Sequence, residues 1–257
     1  MNKLKLLTSA VAGVVLISLT QNAVAHTRLN IPTATEGERA INHIMIGHSC
    51  DETTRTIGTS VVFPDGIDST ILVDGVQHDG GITDFLTNYG NNASMFFDRS
   101  AFDYMDEKTD TNGNVVGFWA GGGPGMPGNL GVAQPFRLTA ASIEPASCAT
   151  SVKIYISIVD ICEITDEDGF GEGTVELWTH AGLGTPYDRD LHFAVDEGTD
   201  PGPASFTINR DLTNNPLPDS CDSGTTVEVK ASAAQINRDM PIKRNGHQIW
   251  PSDHSHN

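Results

Sequence analysis

Val152-Lys153-Ile154-Tyr155-Ile156-Ser157-Ile158-Val159-Asp160-Ile161 is the stretch that decides the fold. Val152, Ile154, Ile156, Val159 and Ile161 alternate, imperfectly, around Lys153, Tyr155 and Asp160, the period of a half-buried strand. Outward from it the same pattern recurs in short pieces: Ile41 to Ile46, Thr56 to Phe63, Val115 to Ala120 and Phe136 to Ala140 before it, and Thr174 to Thr179, Leu191 to Val195, Ser205 to Ile208 and Thr225 to Lys230 after it. Gly, Pro, Asn and Asp separate these pieces, as at Pro64-Asp65-Gly66 and Asp110-Thr111-Asn112-Gly113-Asn114. Almost no stretch sustains a helical period. Many short strands with regular turn signals predict an all-β sandwich. Gly75 to Ser94, the run Gly121 to Gly128 and the end from Asn237 read as irregular. The glycine run lacks the strand-to-helix context of a phosphate loop.

The N-terminus sets the compartment. Lys3 and Lys5, an apolar run from Leu6 to Leu19 and the small-x-small sequence Ala23-Val24-Ala25 predict a signal peptide over residues 1–25, cleaved to leave His26 first. No later segment approaches the ~20 apolar residues that span a membrane. The expected location is therefore periplasmic, cell-surface or secreted. Four cysteines, Cys50, Cys148, Cys162 and Cys221, predict two disulfides in an exported chain. Three pairings are open, and no Cys-x-x-Cys pair points to a thiolate zinc or redox site. The formal charge of −18, or −20 without Lys3 and Lys5, argues against nucleic acid and anionic membranes and suits cations.

A histidine at a mature N-terminus offers an α-amine and an imidazole that close a chelate ring on one metal ion. Copper(II) favours nitrogen and oxygen in a tetragonal plane, and copper(I) accepts two or three ligands. His48, beside Cys50, is the first candidate for a further ligand, provided the strand register brings it opposite His26. A second constellation is Trp178-Thr179-His180, with His247, near Trp250, as a remote partner. The His254/His256 tail is a weaker metal candidate, because binding must order a flexible segment. The acidic stretches Asp110 to Asn114 and Asp166 to Glu172 alternate oxygen side chains as calcium loops do. Val115 and Gly121 stand in the first where an EF-hand needs Gly and Glu, so calcium is a secondary expectation.

His26, Gly47-His48-Ser49-Cys50 and Val61-Val62-Phe63-Pro64-Asp65-Gly66 together resemble the start of the YcnI-type domain of exported bacterial proteins. Val116-Gly117-Phe118-Trp119-Ala120-Gly121-Gly122, Phe136-Arg137 and Pro145-Ala146-Ser147-Cys148 resemble its later segments, so the likeness spans residues 26 to 162. The resemblance implies an immunoglobulin-like β-sandwich that binds copper through His26, with Trp119 near the metal. It also implies a Cys50 to Cys148 disulfide, leaving Cys162 to Cys221. The family's acidic ligand falls on Thr33 here, with Glu36 and Glu38 the nearest carboxylates in sequence. The Trp178-Thr179-His180 element resembles, more weakly, the surface copper proteins of methanotrophs, in which a modified tryptophan and two histidines hold copper(I).

The expected organisation is a signal peptide at 1–25, a YcnI-like sandwich at 26–165 and a β-rich region with a flexible tail at 166–257. The expected function is copper storage, buffering or delivery to a membrane copper transporter or chaperone, without catalysis. An acidic structural or adhesive surface protein is the alternative. A copper-dependent oxygenase ranks lower, since aromatics are only 7% and do not cluster into a substrate face.

Overall fold

The computed structural model describes residues 26–194 and 202–252. The expected leader, Val195 and the His254/His256 tail lie outside the described residues. Two sheets face each other. The smaller holds Arg28–Leu29, Arg39–Ile46, Val132–Thr139 and Ala93–Met95 in that order, all antiparallel.

The larger, ten-stranded sheet is assembled on Ala149–Ile161, the strand predicted from Val152 to Ile161. Along its first half this strand pairs with Ala204–Asn209, antiparallel, and with Thr225–Lys230, parallel. Along its second half it pairs antiparallel with Thr56–Val62 and Val175–Trp178. The strands after residue 166 therefore extend the sheet that the first half of the chain begins. Val115–Met126 and Tyr104–Thr109 follow beyond Thr56–Val62.

Each face of the large sheet covers a core of its own, because successive side chains point to opposite sides. Val61, Phe118, Ile154, Ile156, Ile158 and Trp178 meet Ile44, Ile46, Phe136 and Leu138 of the small sheet. This is the interior of the expected immunoglobulin-like β-sandwich. Their neighbours Val62, Trp119, Val159, Ile161 and Leu177 form a second core on the other face, closed by Ile236, Met240, Ile242 and Trp250.

Several local expectations are corrected. The glycine run is not irregular, since Val115–Met126 continues as strand through a bulge between Gly121 and Met126. Gly125 is at φ +67, where a Cβ would stand 2.7 Å from Thr56 O, so a bulge is feasible only with glycine there. Residues 75–94, expected to be irregular, hold three short strands and a 3-10 turn. In place of a strand from Leu191, Arg189–His192 is a single helical turn, held where Arg189 Nη1 donates to Leu177 O at 2.6 Å. The end from Asn237 is regular over much of its described length: Ala233–Asp239 is a helix capped by Ser232, whose hydroxyl accepts from Gln235 N. A hairpin of Ile242–Arg244 and His247–Trp250 follows, turning on Asn245 and Gly246, both at positive φ.

Both disulfides exist, but the pairing implied by the family resemblance does not. Cys50 bonds Cys162, and Cys148 bonds Cys221. The reason is positional. Cys162 follows the end of the central strand beside the loop after Ile46, whereas Cys148 precedes its start, beside Thr225–Lys230.

Candidate metal centre

His26 and His48 come together because of the register of Arg28–Leu29 on Arg39–Ile46. Arg28 pairs with Met45 and Leu29 with Ile44, so the same antiparallel ladder, continued outward, sets His26 against Gly47 and beside His48. Both histidines are half-buried. The ring centroid of Trp178 lies 5.2 Å from that of His26 and 6.2 Å from that of His48. The indole is thus the common neighbour of two imidazoles.

Trp178 is held from the other side of the ladder. It pairs with Ile158, and Asp160 pairs with Glu176, which puts Trp178, Asp160 and Glu176 on one face of the sheet. The Trp178 indole N–H donates to Asp160 Oδ2 at 3.0 Å, and the Thr27 hydroxyl donates to the same oxygen at 2.5 Å. The residue after His26 is therefore tied to the residue that fixes the tryptophan. The Arg189 guanidinium lies 5.4 Å from the Trp178 ring.

His48 is oriented by its own neighbourhood. Its Nδ1 is 2.6 Å from Ser49 O, and a carbonyl can only accept, so Nδ1 carries the proton. In the neutral ring Nε2 then keeps its lone pair, the arrangement found in metal-ligating histidines. Ser49 Oγ and Cys50 N both contact Cys162 Sγ, at 3.3 and 3.2 Å. The disulfide thus pins the His48 loop two residues from Asp160.

Burial sets the direction for both carboxyls of the cluster. Burial raises the Asp160 carboxyl to about 6, against the hydrogen bonds from Thr27 and Trp178 and the charge of His48, which pull it down. The Thr59 hydroxyl, directly across the ladder, faces the same carboxyl and also pulls it down. Burial also raises Glu176, opposed by His48 and Arg189.

The other sequence candidates are elsewhere. Trp119 lies on the opposite face of the large sheet, in the second core, so the tryptophan beside His26 is Trp178. His180 contacts Tyr155, with ring centroids 5.3 Å apart, and burial, then Lys230, lowers it to about 4. Its Nε2 is buried without a partner. His247 is exposed on the C-terminal hairpin, pairing with Arg244, and does not share the surroundings of His180. Glu36 accepts hydrogen bonds from Ile143 N, Asp211 N and Asn215 Nδ2, while Glu38 accepts from Thr35 N. Both are therefore committed away from His26, and Thr33 is in a parallel ladder with Thr207. Asp110 accepts from Asn112 N and from the backbone and side chain of Asn114, closing its own turn. Among the described residues, no group of three or more His, Cys, Asp or Glu side chains is arranged to hold a metal ion.

Asp160 and Glu176 were not singled out from the sequence. Asp160 interrupts the apolar alternation of the central strand, and that interruption is the one signal that could have found it.

The molecule defined by these features is a doubly disulfide-bonded β-sandwich with a histidine, tryptophan and carboxylate cluster at one end. Its fold is similar to that of an uncharacterized protein from Nocardia farcinica, whose crystal structure was described as revealing an immunoglobulin-like fold. The two are 14% identical over 72% of this chain and 99% of that one, with a TM-score of 0.40. No protein-family model and no curated protein matches the chain.

Proposed function

We propose that this is an exported copper-binding protein that stores, buffers or hands on copper. The copper is held by the α-amine and imidazole of His26, once the leader has been removed, and by Nε2 of His48. The observation that carries this reading is the meeting of His26 and His48 on the Trp178 indole. An amine and two imidazoles supply three nitrogen donors, enough for copper(I) and for three positions of a copper(II) plane. The buried Asp160 and the half-buried Glu176 place carboxylate charge beside that set. Trp178 presents a π-face to a soft cation and excludes water from one side.

Two disulfides suit an oxidising compartment, and no helix among the described residues is long and apolar enough to cross a membrane. Periplasmic or cell-surface residence after cleavage at Ala25-His26 completes the reading, with a membrane copper transporter or chaperone as recipient.

Copper titration of protein beginning at His26, beside protein carrying one extra N-terminal residue, tests the proposal. The extra residue removes the chelate and is expected to weaken binding at least tenfold. Equal affinity in the two forms would sink the role of His26.

A further inference from the structure

On the opposite face of the large sheet, Trp119, Ile161, Ile242 and Trp250 wall a cavity of about 230 Å³. A dry cavity of about 150 Å³ accepts benzene, so this one has room for a two-ring aromatic or a branched alkyl group of similar bulk. It does not close over. Ile164 and Ile249 stand at its mouth, 62% and 41% exposed, an apolar rim on a chain whose formal charge is −18. Clustered exposed apolar side chains of this kind mark ligand sites.

The same mouth carries Arg244. Its guanidinium lies 3.7 Å from the Tyr104 ring centroid, which fixes its position over the rim. Among the described residues no carboxylate forms an ion pair with it. With no acidic partner, its guanidinium N–H groups at the mouth are open to an anion. Trp250, 2% exposed, also keeps its indole N–H buried without an acceptor.

We propose that this cavity binds a small amphipathic carboxylate, its aromatic or branched apolar body between Trp119 and Trp250 and its carboxylate on Arg244. The guanidinium pairs with the carboxylate through two N–H donors, and the walls select the bulk of the body. The site is separate from the histidine cluster, and metal binding plays no part in it.

The probe is 2-naphthoate, with 2-naphthylmethylamine as its cationic counterpart, titrated against the full chain by calorimetry and by tryptophan fluorescence. The expected result is saturable 1:1 binding of the naphthoate, at least tenfold tighter than the amine. Arg244→Glu, at an exposed position, is expected to weaken naphthoate at least tenfold while leaving the circular dichroism spectrum and the copper titration unchanged. Ile249→Asp is expected to weaken naphthoate several-fold. No saturable binding of naphthoate to the native chain, or unchanged naphthoate affinity in Arg244→Glu, would overturn the proposal.

Discussion

Trp178 and Trp119 are buried to nearly the same extent in the same sheet, yet they occupy opposite chemical worlds. Trp178 donates to a buried carboxylate and adjoins two imidazoles and a guanidinium; Trp119 packs in the second core beside Val62, Ile161 and Ile242, between a largely apolar cavity and the cluster of Lys108, Arg238 and Asp239. What separates them is parity. Ile158 pairs with both Val61 and Trp178, and Val61 pairs with Phe118, so Phe118 shares the face of Trp178 and Trp119 takes the other. A one-residue slip in Val115–Met126 would exchange them, because register fixes which side chains face which layer. Residue type alone does not make a tryptophan part of a polar site.

The contrast can be broken in four ways, in descending size of effect. Replacing Cys50 and Cys162 together by alanine is expected to cost about 5 kcal/mol of stability by loop closure, and replacing Cys148 and Cys221 about 4. Only the first pair adjoins His48, so copper affinity should fall for it alone; urea unfolding and competitive copper titration separate the two. Equal loss of affinity in both would detach the histidine cluster from its disulfide.

Next comes the buried carboxylate. The folded Asp160 titrates at about 6 against an ordinary 3.8, so the folded chain holds this proton more tightly than the unfolded one. Below pH 3.8 both forms are protonated and no penalty exists. As pH rises from 3.8 to 6, stability falls by about 3 kcal/mol from this group, and it levels off above 6. Asp160→Asn is expected to lose that decline, seen in denaturant titrations at pH 4, 5, 6 and 7. An unchanged pH slope in the variant would mean that the carboxyl is not paying for its burial.

Third, His48→Ala should weaken copper about tenfold, equivalent to 1.4 kcal/mol, while His180→Ala and His247→Ala leave it unchanged. The reverse pattern would move the site to the other pair. Smallest, Trp178→Phe should lower copper affinity by a few-fold and Trp119→Phe not at all. Parallel titrations of the two decide whether the parity argument extends to the metal.

Much of the fold was legible because strands announce themselves locally. The central strand, its neighbours at Thr56 and Thr225, and the two-disulfide count follow from alternation and composition. His26 and His48 were legible as residue types, though not their meeting on Trp178. The disulfide pairing, the side on which Trp119 lies and the roles of Asp160 and Glu176 were not, since each depends on a register between strands far apart in sequence. Asn245-Gly246 is a hairpin-turn signal set in a polar C-terminal stretch, where such signals compete with fraying. The glycine run misled because flexible residues also build bulged strands.

The central strand has one more consequence, for the time course of folding. Its partners start as far upstream as Thr56 and end as far downstream as Lys230, so it cannot complete either half by local contacts. Chains dominated by such distant pairings fold slowly, in milliseconds to seconds. Asp160 and Trp178 come together only when those pairings are made. The two histidines meet through the short-range ladder of Arg28–Leu29 and Arg39–Ile46, whereas the carboxylate and the indole beside them wait for the distant pairings.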